Sequence, residues 1–256
     1  MKKGLIFILT LFLASSTFAQ EKFYKVLFLG NSYTYYNGIP SLISDMALRH
    51  GKNVVVTQIT KGGNLLEDYT NSEMVKETIE AGGFDFVVLQ EQSSAPLFQP
   101  ENTTFPAIRS LNKLIRKSGA EPILFMTWAR EYADSIRTKM LSGKFYYDVF
   151  HSYNEAQDSL SNSYLKIGKE IGAKVAPAGL IWKKIHNQHP ELVLWREDHN
   201  HPTETGSVIA AYAIYATIFN EPVKNIRCPI PVPMALVNEI KNLTDQIVIK
   251  NAIISE

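Results

Sequence analysis

The sequence has very little cysteine and no excess of charge of either sign. Cys228 is the single cysteine among 256 residues, which excludes an internal disulfide and a zinc site made of cysteines alone. Lys and Arg together number 26 and Asp and Glu number 25, for a formal net charge of +1. Without a basic excess the chain has no general means of holding a phosphate backbone, so nucleic acid is not an expected partner.

Long hydrophobic runs, internal repeats and low-complexity tracts are also scarce. Beyond the first twenty residues, the one long apolar segment is VIAAYAIYATIF, Val208–Phe219. It is too short to span a bilayer, so it predicts a buried helix and no stable membrane insertion. The composition, 45% hydrophobic and 20% charged, is that of an ordinary globular protein of one or two domains, which excludes a disordered chain or a collagen.

The first twenty residues have the pattern of a secretory signal peptide. Lys2–Lys3 is a basic start, Leu5–Ala14 is an apolar core, and Thr17 and Ala19 stand at −3 and −1 of a cleavage site. The pattern predicts a signal peptide over residues 1–19 and an exported protein, periplasmic or secreted. An uncleaved N-terminal anchor is the alternative, and a lipid anchor is not expected because no cysteine follows the apolar core.

Short apolar runs bounded by glycine or proline alternate with amphipathic stretches along the rest of the chain. The runs predict buried strands at Lys25–Leu29, Val54–Ile59, Phe84–Leu89, Pro122–Thr127 and Lys174–Ala176. Helices are expected at Ile39–Arg49, Ser72–Ala81, Pro106–Lys117, about Tyr153–Ile171 and Thr203–Phe219, with a less clear one at Ile185–His189. This alternation predicts an α/β fold with a parallel sheet covered by helices on both faces.

A single domain is expected over residues 20–256. It includes a helical appendage from about residue 222, in which a helix runs from Met234 to about Ile247. In parallel sheets of this kind, ligands bind beyond the carboxyl ends of the strands, so the residues that follow each strand are the candidates for function.

A serine, an aspartate and a histidine occupy such positions. Ser32 follows the first strand in GNSYT, where a strand-to-helix turn can present its hydroxyl beside free backbone N–H groups. Asp198 and His201 stand three residues apart in EDHNHP, a spacing that lets the carboxylate orient one imidazole nitrogen while the other takes the serine proton. Taken singly, the serine is equally a helix cap and the Asp-x-x-His a solvated loop.

The same histidine-rich segment also has the pattern of a metal site, because His199 and His201 flank one residue and Asp198 is adjacent. No third distant ligand is evident, so neither a metal nor another cofactor is expected.

Two longer segments, Gln92–Thr104 and Ala129–Phe150, leave the expected sheet at its carboxyl edge. They either wall a substrate cleft or pack as surface loops. Trp128, Tyr132 and Tyr147 are candidates for stacking on a sugar ring, with core packing as the alternative.

Taken together, these motifs resemble those of the SGNH, or GDSL-type, hydrolases. The similarity is close in FLGNSYT, Phe28–Thr34, and in DHNHP, Asp198–Pro202, followed by Thr205–Ser207. The segments VLQEQS, Val88–Ser93, and APAG, Ala176–Gly179, are similar to a branch found in secreted proteins of Bacteroidetes-type bacteria. The resemblance implies a three-layer α/β/α fold with flavodoxin-like strand order over about residues 24–220.

The resemblance also implies a Ser-Asp-His triad in which Ser32 is the nucleophile, His201 the base and Asp198 the orienting acid. The oxyanion donors would be the N–H of Ser32, the N–H of a glycine after the second strand and a side-chain amide after the third. Gly63 is preferred over Gly62 for the second donor because an asparagine follows it.

The third oxyanion donor departs from the family pattern. The superfamily usually has Gly-x-Asn-Asp at this place, whereas this chain has Gln90-Glu91-Gln92. A glutamine amide can donate the same hydrogen bond. Register favours Gln92 over Gln90, and Glu91 either binds substrate or is a spectator.

The implied activity is that of a serine esterase that hydrolyses an acyl ester of a small molecule or glycan, with an acetyl ester as the first candidate. This inference is made by family analogy. One alternative is a non-catalytic carbohydrate-binding protein, which the missing asparagine motivates. The other is a lipid-directed esterase or thioesterase, with Leu97 and Phe98 lining an acyl groove.

Overall fold

A computed structural model of the protein describes residues 22–98, 100–132 and 150–250, together with the backbone of 138–139 and 145–146. The expected signal peptide, residues 1–19, and Tyr147 lie outside the described residues. The strands are β1 (Phe23–Gly30), β2 (Asn53–Thr60), β3 (Phe86–Leu89), β4 (Glu121–Phe125), β5 (Thr138–Lys139), β6 (Phe145–Tyr146) and β7 (Lys174–Ala176).

Five of these strands form one parallel sheet in the order β2-β1-β3-β4-β7, while β5 and β6 form a small antiparallel pair. This order is the flavodoxin-like arrangement of a doubly wound sheet, as the family resemblance implies. Gly30 pairs with Thr60, and Leu29 pairs with Leu89. The ends of β1, β2 and β3 therefore meet at one edge of the sheet.

The expected helices are present, and most of their ends lie within two residues of the predicted ones. The helices are α1 (Ser32–Tyr35), α2 (Ile39–Leu48), α3 (Leu66–Thr70), α4 (Glu73–Glu80), α5 (Thr104–Lys117), α6 (Tyr153–Ile171), α7 (Ala178–Gln188), α8 (Glu204–Phe219) and α9 (Met234–Thr244), with 3₁₀ turns at Tyr36–Gly38 and Ala95–Leu97 and a π turn at Asp245–Ile249. The stretch expected at Ile185–His189 is the end of α7, which begins at Ala178.

Local side chains explain where several helices begin and end. The hydroxyl of Ser152 accepts a hydrogen bond from the N–H of Glu155 at 3.2 Å and starts α6, and Thr203 accepts from Gly206 at 3.4 Å and starts α8. Such caps satisfy N–H groups that have no partner in the first turn. Gly172 ends α6 with a φ of 63°, a conformation that glycine adopts without steric cost.

Two hydrophobic clusters cover the two faces of the sheet. Alternate residues point to opposite faces of a strand, so Val26 and Phe28 of β1 pack on one side with α2, α7, α8 and α9. Leu27 and Leu29 pack on the other side with α3, α4, α5 and α6. The expected three-layer α/β/α arrangement is confirmed.

Helix α8 is apolar on all sides because it lies inside the first of these clusters. Every residue from Gly206 to Ile218 is buried, which agrees with the buried helix expected over Val208–Phe219. Among the described residues, none of the helices combines the length and the hydrophobicity that a membrane span requires. Helix α9 extends the same layer through Leu236, Ile240 and Leu243.

Candidate active site

The turn between β1 and α1 holds Ser32 at the start of a helix. Asn31 caps α1 by accepting a hydrogen bond from the N–H of Tyr33 at 3.2 Å, and its amide donates to the carbonyl of Asn64 at 2.9 Å. The preceding Gly30 is required, because a Cβ there would lie 2.4 Å from the hydroxyl of Thr34. The turn is therefore fixed on both sides of the serine.

Gln90 fastens the end of β3 to this turn. Its Oε1 accepts hydrogen bonds from the N–H of Asn31 and from the hydroxyl of Thr34, both at 2.8 Å, and its Nε2 donates to the carbonyl of Glu91. The side chain is only 1% exposed. The oxygen and one N–H of this amide are engaged within the protein, so Gln90 supports the serine turn.

Ser32, His201 and Asp198 meet at the carboxyl edge of the sheet. The hydroxyl oxygen of Ser32 lies 2.8 Å from Nε2 of His201, although the two residues are 169 positions apart. Nδ1 of His201 lies 2.5 Å from Oδ2 of Asp198. A proton on Nδ1, facing the carboxylate, leaves Nε2 able to accept the serine proton. The structure thus brings the three predicted residues into one chain of hydrogen bonds.

Backbone groups of the same turn hold the carboxylate of Asp198. Its Oδ1 accepts from the N–H of Asn200 at 3.1 Å and from the N–H of His201 at 2.9 Å. Partial burial raises the pKa of Asp198, but the hydrogen bonds from the His201 ring and from these N–H groups outweigh it and hold the pKa below its ordinary value. The carboxylate is therefore charged at neutral pH.

Aromatic rings surround the imidazole of His201. Tyr36 stacks on it with ring centroids 4.2 Å apart, and Tyr33 meets it edge-on at 5.7 Å. The guanidinium of Arg196 lies 5.5 Å from the centre of the Tyr36 ring, on an exposed surface. Tyr36 is not among the residues that the sequence motifs indicate. Its position four residues after Ser32, about one helical turn away, is the signal that points to it.

Trp128 is buried and does not line a sugar site. Its ring stacks on Tyr33 at 4.6 Å and on Trp182 at 4.2 Å, and none of its surface is exposed. Its Nε1 donates to the carbonyl of Asn200 at 3.1 Å. Both ring faces are occupied, which corrects the expectation of sugar stacking in favour of core packing. By contrast, Tyr132 is 52% exposed and lies 4.5 Å from the ring of His199.

Glu91 is also buried rather than open to a substrate. Its Oε1 accepts hydrogen bonds from the N–H of Leu66 at 3.0 Å and from the N–H of Gln92 at 2.7 Å. Burial raises the pKa of Glu91 to about 7. The side chain therefore ties the loop after β3 to the start of α3, which corrects the expectation that it binds substrate.

Three backbone N–H groups in the turns after β1 and β2 donate to no acceptor in the described part of the chain: those of Ser32, Gly62 and Gly63. Gly63 has a φ of +76°, and a Cβ there would meet nothing within 4 Å, whereas one on Gly62 would lie 3.1 Å from the hydroxyl of Tyr35. Of the two candidate glycines, Gly63 thus has the more open surroundings.

The amide of Gln92 is less committed than that of Gln90. Its Oε1 accepts from the N–H of Ser94 at 2.8 Å and of Ala95 at 3.0 Å, which caps the following 3₁₀ turn. Its Nε2 has only a 3.4 Å contact with the hydroxyl of Ser93. The amide nitrogen is the part of this side chain that can donate to a bound ligand.

The remaining predicted positions are accounted for by packing and pairing. Leu97 and Phe98 are 6% and 4% exposed and belong to the second hydrophobic cluster, so they do not line an open acyl groove. Nδ1 of His199 lies 2.7 Å from a carboxylate oxygen of Glu131. Over the described ranges, no group of three or more His, Cys, Asp and Glu side chains is placed to hold a metal ion.

The fold is that of the SGNH hydrolases, as comparison with solved structures shows. No protein-family model and no curated protein matches the sequence. Similar structures include a candidate SGNH hydrolase from Slackia heliotrinireducens, with 22% identity over 77% of this chain and 100% of that one and a TM-score of 0.61. A DUF4886 family protein from Bacteroides uniformis has 14% identity over 90% and 96% of the two chains and a TM-score of 0.71.

A third similar structure is the psychrotrophic esterase EstA from Pseudoalteromonas. It has 13% identity over 77% of this chain and 97% of that one, with a TM-score of 0.55. Identities this low establish the fold alone. The fold that the sequence motifs imply is confirmed by these comparisons, while the roles of individual residues rest on the geometry of the site.

Proposed function

We propose that the protein is a serine ester hydrolase that uses Ser32, His201 and Asp198 as its catalytic triad. The observation that carries the proposal is the continuous chain of hydrogen bonds from Asp198 through His201 to Ser32, with spacings of 2.5 and 2.8 Å. It lies where the carboxyl ends of the parallel strands meet, which is the place for ligands in this class of fold.

The triad performs acyl transfer in two halves. Ser32 attacks the ester carbonyl while Nε2 of His201 takes the hydroxyl proton and then gives it to the leaving alcohol. A water then attacks the acyl-serine, His201 again takes the proton, and the acid leaves as the serine is restored. Asp198, ionised at neutral pH, stabilises the imidazolium that forms in each half.

Three hydrogen-bond donors are proposed for the oxyanion of the tetrahedral intermediate. They are the N–H of Ser32, the N–H of Gly63 and the side-chain amide of Gln92. Both backbone groups have no acceptor within the described residues, and the Nε2 of Gln92 is nearly uncommitted. A donor of this kind typically contributes about 10²–10³ in rate.

An acetyl ester of a carbohydrate is the proposed substrate. An open cleft of ≈ 840 Å³ is lined by Asp198, Tyr36, Arg196 and Thr205, among others, and Tyr36 stacks on the ring of His201. A cleft lined mostly by polar and charged groups suits a hydrated sugar better than a long acyl chain. The signal-peptide pattern in residues 1–19 supports an activity in the periplasm or outside the cell, which is part of this proposal.

The test is hydrolysis of 4-nitrophenyl acetate and of acetylated oligosaccharides by the mature protein. The expected result is activity that falls by at least about 10³ in Ser32→Ala and His201→Ala. The exposed residues Ser110 and His50 provide matched controls, and Ser110→Ala and His50→Ala are expected to keep wild-type rates.

Two other outcomes would count against the proposal. Activity that survives in Ser32→Ala would reject this nucleophile. Tight binding of a glycan by a wild-type protein that hydrolyses none of these esters would favour the non-catalytic alternative.

A further inference from the structure

Two arginines beside the triad have no carboxylate partner among the described residues. Elsewhere, Arg49 pairs with Asp45 at 3.0 Å and Arg109 pairs with Glu170 at 2.6 Å. Arg196 is exposed and lies over a tyrosine ring. Arg130 is only partly exposed, and its Nε is buried without a hydrogen-bond partner. A buried charged donor that lacks an acceptor is costly to the folded protein, so Arg130 calls for an explanation.

The chain on either side of Arg130 is held against the loop that carries the catalytic histidine. Trp128 donates from its ring to the carbonyl of Asn200 at 3.1 Å. Glu131 donates from its N–H to the carbonyl of His199 at 3.1 Å. Arg130 is therefore fixed between two contacts with the residues that directly precede His201, and it cannot swing far from the site without breaking them.

The positive charge of Arg130 also acts on Tyr33, one of the two tyrosines whose rings contact His201. Burial raises the pKa of the Tyr33 hydroxyl, and the charge of Arg130 partly offsets this effect. Tyr33 in turn meets His201 edge-on at 5.7 Å. The guanidinium thus lies within electrostatic reach of a ring that contacts the base.

Two acidic side chains of this region are already engaged. Asp198 bonds to His201 and to two backbone N–H groups, and Glu131 lies 2.7 Å from Nδ1 of His199. Glu197 and Glu204 are exposed on the cleft that Tyr36 and Arg196 also line. None of these carboxylates forms an ion pair with Arg130 in the described ranges.

The strand order indicates which part of an ester would face Arg130. The proposed oxyanion donors Ser32, Gly63 and Gln92 follow β1, β2 and β3, whereas Arg130 follows β4, on the other side of β3. His201 delivers its proton to the leaving alcohol of the ester, so the alcohol part of the substrate lies on the side of the site where His201 stands. Arg130 lies on that side, away from the oxyanion donors, and therefore faces the alcohol part of the ester.

We propose that Arg130 binds a carboxylate on the alcohol part of the substrate, so that the substrate class is an acyl ester of an acidic sugar. The planar guanidinium matches a carboxylate through two parallel hydrogen bonds, and Arg130 is partly exposed. This inference rests on the proposed esterase function and makes its substrate class specific.

The test compares two esters that differ in one group: methyl glucuronoside and methyl glucoside, each with one acetyl group at the same hydroxyl. The wild type is expected to favour the glucuronoside by about tenfold or more in kcat/KM, which is typical of a charge-assisted hydrogen bond. Arg130→Gln should bring this ratio close to one, and Arg130→Lys should give an intermediate ratio. Arg227→Gln removes the same charge from an exposed position and should leave the ratio unchanged.

Failure of this inference and failure of the esterase proposal give different results. If the wild type hydrolyses neither ester, the esterase proposal fails, and binding of both esters to Ser32→Ala is then measured by calorimetry. Tighter binding of the glucuronoside that is lost in the double variant Ser32→Ala/Arg130→Gln would still support the carboxylate site. Equal kcat/KM values of the wild type for the two esters would overturn the carboxylate site. A preference that is lost in Arg196→Gln but retained in Arg130→Gln would also overturn it.

Discussion

The phenol ring of Tyr36 lies nearly parallel to the imidazole of His201, with ring centroids 4.2 Å apart and an angle of 20° between the planes. On its other edge the imidazole meets the ring of Tyr33. Hydrogen bonds fix the histidine only within its own plane, at Nδ1 and Nε2. The stacked tyrosine supplies the restraint perpendicular to that plane.

Replacing Tyr36 should therefore affect turnover more than binding. Tyr36→Leu removes the flat surface, and a misplaced general base can lose up to about a hundredfold in rate; we expect kcat to fall at least tenfold with a smaller change in KM. Tyr36→Phe keeps the ring and is expected to stay near the wild type. Steady-state kinetics on 4-nitrophenyl acetate measures both parameters, and a wild-type kcat in Tyr36→Leu would contradict a positioning role.

The charge of Asp198 is expected to matter for catalysis rather than for folding. Asp198→Asn keeps the size of the side chain but removes the anion that stabilises the imidazolium and selects the proton position on His201, so kcat should fall by about 10⁴. Thermal unfolding should change little, because the carboxylate side chain is 47% exposed. Asp45→Asn, which breaks a surface pair with Arg49, is the matched control and should retain its activity.

The fold could be predicted from the sequence because most of its strands are continuous apolar runs. A run such as FVVL, Phe86–Leu89, is buried on both faces in a parallel sheet, and its composition reports that directly. The short helix α3 is not among the elements that the sequence predicts. Helix α3 has five residues and is held at its start by Glu91, a contact 25 residues away along the chain, which no local pattern reveals.

The triad could be predicted from motif spacing, but the neighbouring roles could not. Trp128, Leu97 and Phe98 were candidates for substrate contact because they follow strands, yet each is buried. Composition gives the same signal for an aromatic residue that packs in a core and one that faces a sugar. The sequence does not distinguish Arg130 from other arginines, because the lack of a hydrogen-bond partner is a property of the folded chain.

We expect substitution of Gln90 to affect mainly stability and substitution of Gln92 to affect mainly catalysis. Gln90→Ala leaves the N–H of Asn31 and the hydroxyl of Thr34 without their shared acceptor in a buried site, which should lower the free energy of unfolding by about 2–4 kcal/mol. Gln92→Ala should cost about 1 kcal/mol through the lost cap but lower kcat by about 10²–10³. Chemical denaturation and kinetics on the same samples distinguish the two, and the reverse pattern would assign the oxyanion role to Gln90.

Glu91 should make the stability of the protein fall as the pH rises through the acidic to neutral range. Its folded-state pKa of about 7 lies above the ordinary value of 4.5, so the folded state holds a proton that the unfolded state has lost. The favourable contribution of Glu91 to the free energy of unfolding is complete below about pH 4.5 and is lost as the pH rises through about 7. The free energy of unfolding changes by up to about 3 kcal/mol in total over this range.

The variant Glu91→Gln tests this pH dependence, because its amide oxygen can still accept the N–H groups of Leu66 and Gln92 but does not titrate. Urea unfolding between pH 5 and pH 8 should show a flatter dependence in Glu91→Gln than in the wild type. Glu77→Gln, at an exposed position on α4, should retain the wild-type slope. An equal slope in Glu91→Gln and the wild type would mean that Glu91 is already ionised in the folded protein at pH 5, with its two backbone donors outweighing the cost of burial.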